Sequence, residues 1–328
     1  MDLRMQGNLS AMRTTTLLLL QRHPLCSVML GSLMISFSAV FVKLTTVAPD
    51  TAAFYRVFFG GLGLGLLSLL LREPLVFPVR AMCLLMVAAL SLSLDLSSWH
   101  RSIILVGPGL ATILINFQVF FVSTWGALVQ GERLPWRVAA GGVLALVGIW
   151  FLVSSNGSDI HISSETWPGV LWGLLAAVAF AAYILSIRAS QAIPVRLAPL
   201  SNMAVASLAT AALLGGYSIV IGNSLAIPTP EDGILLLAYG IVSQCVGWLL
   251  ISQGLPHLPA SVGGLSILVM PTFSLVWDIL FFGRPMTLWG MCGAIMAILA
   301  IRLGIISSSD NVPKNKTRRK RSFIGSEQ

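Results

Sequence analysis

The sequence predicts an all-α integral membrane protein of ten transmembrane helices, arranged as two inverted five-helix repeats. Composition is the first observation behind this: 56% of residues are hydrophobic and 10% charged, with a mean hydropathy of +0.88, whereas a soluble domain is about a quarter charged. The second is spacing. The charges gather in short patches separated by apolar runs of roughly 18–25 residues, the length at which a helix crosses a bilayer. The third is internal repetition, since segments of the first half of the chain recur in the second.

The spans fall at about 25–45, 51–71, 80–105, 109–129, 135–153, 168–187, 197–221, 233–254, 259–282 and 287–307. Residues 1–24 read as a cytoplasmic leader, because the apolar core Leu17–Leu20 is too short for a signal peptide and no small-residue cleavage site follows. Arg72 and Arg80 separate the second and third spans, "GERLPWR" (131–137) the fourth and fifth, and Arg188 and Arg196 the sixth and seventh. The linker 154–167 and the stretch "SLAIPTPEDG" (224–233) contain no Lys or Arg. Residues 308–328 form a basic tail. With both termini in the cytoplasm, 16 of the 20 lysines and arginines lie on the cytoplasmic side, as the positive-inside rule requires. Lys43, Arg56, Arg101 and Arg284 are the exceptions.

The repeat sets the domain boundaries. "STWGALVQGERLPWRVAAGG" (123–142) aligns with "LVWDILFFGRPMTLWGMCGA" (275–294) at a constant shift of 152, Trp125 falling on Trp277 and Gly141 on Gly293. Upstream, at a shift of 149, "LDLSSW" (94–99) falls on "SQCVGW" (243–248), so Asp95 matches Gln244 and Trp99 matches Trp248. An odd number of spans per copy makes the second copy enter from the opposite side. The two repeats are therefore 25–153 and 168–307, with 154–167 as an outer linker.

These residues resemble the drug/metabolite transporter superfamily, and in particular its ten-span EamA type. The resemblance rests on "FYRVFFGGL" (54–62), "GERLPWRVAAGGVLALVGIWFLV" (131–153), "GVLWGLLAAVAFAAYILSIRA" (169–189) and the midspan proline of "SILVMPTFSLV" (266–276). It covers about residues 27–304. Val119 stands where such proteins often carry the proline matched by Pro271, and Arg284 stands where a Glu like Glu132 is usual. The resemblance implies transport. Family members carry cargoes from amino acids to nucleotide sugars and drugs.

The polar residues inside the spans are the candidates for the work. A carboxylate at the bilayer centre costs about 2.5–3.5 kcal/mol on insertion scales, so Asp95 is expected to face a cavity or a partner. Trp99, four residues on, shares its helix face. Gln244 and Trp248 repeat the pair, which predicts a polar group and an aromatic plate from each half around a common solute site. The competing reading makes Asp95 structural, paired with Arg or capped by Ser97 or Ser98. Arg56 either snorkels to the headgroups or pairs with Asp95, and in the second case a proton exchanged at Asp95 as Arg56 moves would couple transport to a pH gradient. Asn116 and Tyr183 either join helices by hydrogen bonds or line the cavity. Lys43 reads as a snorkeller, His100 and Arg101 as an interfacial collar, Asp278 with Arg284 as an interfacial pair, and Glu132 with Arg133 as the fastening of an inner turn.

Several classes are disfavoured. No P-loop, HExxH or GxSxG motif is present, and the four histidines are scattered. The cysteines Cys26, Cys83, Cys245 and Cys292 are isolated and read as packing residues. The glycine strings 60–65 and 263–266 let helices approach closely and follow no strand. The expected protein is a secondary transporter of a small metabolite, amino-acid-like or another small organic solute, working by alternating access in a bacterial inner membrane. It calls for no cofactor or metal, acts on no nucleic acid, and is not an enzyme. The alternative is a passive facilitator or regulatory membrane protein on the same scaffold.

Overall fold

The computed structural model describes residues 23–73, 77–129, 136–154, 166–191, 193, 199–258, 266–267 and 269–310. Every regular element among these is helical. Seven helices are long and apolar enough to cross a membrane, and three shorter apolar helices accompany them. The leader, most of the 154–167 linker, the Glu132–Arg133 turn, Arg196, Gly263–Gly264 and the tail beyond Asp310 lie outside the described residues.

In chain order, α1 (Pro24–Ser36) and α2 (Ser38–Leu44) form the first span, and α3 (Pro49–Leu70) and α4 (Val79–Val106) the next two. The fourth is divided into α5 (Pro108–Ile115) and α6 (Gln118–Val129), and α7 (Trp136–Ser154) follows. Next come α8 (Thr166–Gln191) and α9 (Pro199–Val220). Then α10 (Pro230–Ala238) runs through a π-helical segment, Tyr239–Gly247, into α11 (Trp248–Gly254). The last two are α12 (Val269–Phe282) and α13 (Leu288–Asp310).

Local chemistry sets the boundaries. Proline opens α1, α3, α5, α9 and α10, where its missing N–H costs nothing because the first turn has no intrahelical acceptor for it. Asp50 follows Pro49 in the first turn of α3, a position the helix dipole favours for an anion. Thr229 caps α10, its hydroxyl accepting from the Asp232 N–H at 3.1 Å. Gly107, at φ 86, makes the turn from α4 into α5 in a backbone region closed to most side chains.

Two spans expected to be continuous are broken. In the first, the break at Phe37 seats that ring 4.5 Å from Trp277 of α12, whose Nε1–H donates to Ser36 Oγ at 2.9 Å. In the fourth, the Asn116 side chain turns back and donates to Thr112 O at 2.7 Å, and the helix restarts at Gln118. Such a local bond competes with the helix's own ladder.

Packing is pairwise. The most extensive contacts are α4 with α8, α7 with α13, and α3 with α9, followed by α3 with the π segment and α1 with α11. Along α4 the buried residues Leu85, Ala88, Ala89, Leu92, Leu96, Trp99 and Ile103 recur at three- and four-residue steps, a single face turned inward. One core cluster joins Trp99, Ile103, Val57 and Leu214 to Tyr239. A second gathers Leu110, Ile113 and Leu114 against Ile149 and Ala297. The ends of the bundle differ in chemistry. Lys43, Asp50, Arg101, Asp232, Asp278 and Arg284 mark one, here the Lys43 end; Arg72, Arg80 and Arg188 mark the other.

Candidate functional site

Close contact between α3 and the π segment brings the central polar groups together. A Cβ on Gly60 would lie 2.9 Å from Gly240 O, and one on Gly240 would lie 2.9 Å from Gly60 N. Only glycine at both positions allows the two backbones to approach this far. That approach sets Arg56 and Gln244 against each other.

From there a run of hydrogen bonds crosses the interior. Gln244 Nε2 donates to Ser207 Oγ at 3.1 Å, and Gln244 Oε1 accepts from Arg56 Nε at 3.1 Å. Arg56 Nη1 donates to Tyr239 Oη at 3.2 Å, and Tyr239 Oη lies 3.0 Å from His100 Nε2. His100 Nδ1 sits 2.5 Å from Leu96 O. A carbonyl can only accept, so Nδ1 carries the proton; in the neutral ring Nε2 then accepts from the Tyr239 hydroxyl. Donation thus runs outward from Arg56 in both directions, through Gln244 to Ser207 and through Tyr239 and His100 to Leu96, across four helical segments. The Arg56 guanidinium carbon also stands 5.6 Å from the Trp99 ring centroid and 5.3 Å from that of Tyr239, within cation–π range.

Beside this run, Asp95 is 1% exposed and its Oδ1 has no hydrogen-bond partner among the described residues. The same holds for Trp99 Nε1 one turn away and for Ser98 Oγ. Buried polar atoms are nearly always satisfied, and here an acceptor, Asp95 Oδ1, and a donor, Trp99 Nε1, stay open one turn apart on α4.

The predicted site residues distribute as follows. Arg56, Gln244 and Trp99 meet directly. Asp95 shares the Trp99 face, but neither reading of Arg56 describes the geometry. Arg56 is 7% exposed and does not snorkel, and it makes no ion pair with Asp95 within 4.0 Å; its Nε and Nη1 donate instead to Gln244 and Tyr239. Trp248 is half-buried with its ring against Phe180, centroids 6.4 Å apart. Phe180 stacks on Tyr183, and both pack on the cluster that holds Trp99. Asn116 is buried and spends its amide on its own helix.

His100 is a correction: expected at the interface, it is fully buried and forms part of the central run. Arg101 sits at the Lys43 end, where it clamps Asp50 with both Nη atoms, the Nη2–Oδ2 distance being 2.6 Å. Its guanidinium stacks over Trp172 at 5.4 Å. Lys43 lies 5.1 Å from the Phe282 ring centroid. Tyr239, Ser207, Asp50 and Asp232 escaped the sequence reading. For Asp50 the Pro49–Asp50 helix opening was an available signal; for Tyr239 none was, since its placement depends on the π segment.

At the Lys43 end the two halves of the chain are tied repeatedly. Asp232 accepts from the Thr46 N–H at 2.9 Å and its hydroxyl at 2.8 Å. Thr51 donates to Ser224 O at 3.0 Å, Tyr55 to Leu225 O at 2.6 Å and Ser102 to Gly169 O at 2.8 Å. Arg284 pairs with Asp278 and donates to Val106 O, both at 3.0 Å. Among the described residues the opposite end carries fewer such links, one of them Glu73 accepting from the Ser201 N–H at 2.9 Å.

Comparison with known proteins adds three findings. The model of the EamA-like transporter family matches residues 23–154 and again 167–306. A probable amino-acid metabolite efflux pump of Salmonella typhimurium (strain LT2) is 31% identical over 123 residues, which is 36% of this chain and 40% of that protein. The chain thus matches two fifths of the length of this curated relative. A solved structure described as "Crystal structure of protein" superposes with a TM-score of 0.60 at 20% identity, covering 92% of this chain and 99% of that one, and shares the fold.

Proposed function

The chain belongs to the EamA-like transporter family, and on that premise we propose that it is a secondary transporter carrying a small amino-acid-like solute across the membrane by alternating access. The coarser statement needs no proposal: it is a multi-pass integral membrane protein of a small-molecule transporter family. The observation that carries the finer one is the open pair on α4, Asp95 Oδ1 and Trp99 Nε1, beside Arg56. A zwitterionic solute meets that pair with an ammonium on the carboxylate and a carboxylate toward the indole N–H and the guanidinium. The Salmonella relative's name supports an amino-acid-like cargo and outward movement.

Ten spans in two inverted repeats, 25–153 and 168–307 joined by the linker 154–167, are supported by the packing. Exchanging the first five spans for the second five turns the α4–α8 contact into that of α11 with α1. It turns α3 against the π segment into α9 against α4, and returns α3–α9, α7–α13 and α5–α12 to themselves. Arg72, Arg80 and Arg188 mark the cytoplasmic end, with both termini there, in a bacterial inner membrane. The ties at the Lys43 end then hold the outer side closed, and turnover requires them to open.

Asp95 is the coupling residue of this proposal. In the described arrangement Arg56 is engaged by Gln244 and Tyr239; when it swings toward Asp95 in the other access state, the carboxylate releases its proton, and when it returns the carboxylate takes one up. Proteoliposomes loaded with an amino-acid panel test both layers. The expected result is solute accumulation on a pH gradient by the native protein. For Asp95→Asn, gradient-driven accumulation is lost while exchange at equal concentrations persists. A folded Asp95→Asn protein that still concentrates solute removes Asp95 as the coupling site, and native protein that only equilibrates solute makes it a facilitator.

A further inference from the structure

Of the four basic residues that charge bias leaves unassigned, Arg56 and Arg101 are accounted for by the central run and by Asp50. Lys43 and Arg284 line one cavity of about 280 Å³ at the Lys43 end of the bundle, apart from the central site. Arg284 Nη1 is shared between Val106 O and Asp278 Oδ2. Asp278 Oδ2 accepts also from the Gly109 N–H at 3.1 Å. Arg284 Nη2 is different: it is buried and has no partner among the described residues, on a side chain 8% exposed. The Lys43 ammonium rests on Phe282 and makes no ion pair among the described residues. Two cations therefore face a single carboxylate that is already held by one of them.

We propose that this cavity binds a small organic carboxylate, one oxygen accepting from Arg284 Nη2 and the other from Lys43 Nζ. A buried guanidinium N–H without a partner is costly, and a charge-assisted bond to an anion is the strongest way to satisfy it. Among the described residues of the lining, two cations against one carboxylate disfavour a cationic ligand. The volume lies just below the usual range of ligand sites and suits a small ligand. Phe282, Leu105 and Leu110 contribute the smaller, apolar part of a mostly polar lining, against which a short alkyl tail can rest. The cavity shares no lining residue with the central site, and its binding chemistry does not depend on transport.

Calorimetric titration of the full chain in detergent micelles tests this, with isovalerate as the probe and isoamyl alcohol, isoamylamine and chloride as comparisons. Isovalerate is expected to saturate one site, with the alcohol, the amine and chloride each binding at least tenfold more weakly. Lys43→Met, on an exposed side chain without hydrogen bonds among the described residues, is expected to keep the fold and weaken isovalerate about tenfold, the size of one charge-assisted contact. Arg284→Gln should weaken it further wherever that variant folds. No saturable isovalerate binding overturns the proposal, as does unchanged affinity in Lys43→Met or equal binding of isoamyl alcohol or chloride.

Discussion

The Tyr239 hydroxyl accepts from Arg56 and donates to His100, so Tyr239→Phe leaves a guanidinium N–H and an imidazole nitrogen buried with nothing between them. Each such loss costs about 1–3 kcal/mol. The expected outcome is a lower thermal midpoint in detergent, and an unchanged midpoint would mean the run contributes nothing to stability. Trp99→Phe should behave in the opposite way. Its Nε1 has no partner among the described residues, so the ring's packing is largely kept and the midpoint should move little. Solute affinity should fall about tenfold, because the proposed solute site uses the open donor. A large stability loss with unchanged affinity would assign Trp99 to packing alone.

Between elements, the Gly60–Gly240 approach decides whether Arg56 reaches Gln244. Gly60→Val puts a branched side chain where a single Cβ would already stand 2.9 Å from Gly240 O. Overpacking of this kind costs about 1–3 kcal/mol. The variant is expected to melt lower and to lose gradient-driven uptake, whereas Gly65→Ala, with nothing within 4 Å of a built Cβ, should match the native protein in both. Equal melting of Gly60→Val and Gly65→Ala would show the α3–π contact to be slack. The π segment matters for the same reason. Tyr239 and Gln244 are five residues apart, which in an α-helix of 3.6 residues per turn leaves them on different faces. The wider π turn, with its i→i+5 bonding, brings both toward Arg56.

For the whole molecule, the proposed alternating access requires the ties at the Lys43 end to break in every cycle. Thr46 and Asp232 touch there through a 2.8 Å hydrogen bond, so Thr46→Cys with Asp232→Cys offers a reversible lock. Oxidised, the double variant is expected to lose more than nine tenths of its transport, by the population shift a covalent tie imposes, and to regain it in reductant. Unimpaired transport by the cross-linked protein would rule out opening at this end. A C-terminal reporter active only outside the cytoplasm would likewise sink the orientation proposed above.

Composition, apolar run length and the placement of arginines determined that the chain is a helical membrane protein, and its signature segments pointed to the family. These are properties of stretches: a run of apolar residues has to cross the bilayer whatever packs beside it, and a basic flank has to stay on one side. Asp95 and Trp99 were legible as a face because one α-helix carries both. Most of the remaining site was decided by packing between helices. Arg56 turned from Asp95 to Gln244 and Tyr239 because two glycines far apart in sequence bring α3 against the π segment. His100 left the interface for the core because a tyrosine 139 positions later reaches its ring. The break at Phe37 and the clamp of Arg101 on Asp50 follow the same rule. A buried polar group takes whichever partner the neighbouring helix presents, and that identity is set by crossing geometry, which no local pattern encodes.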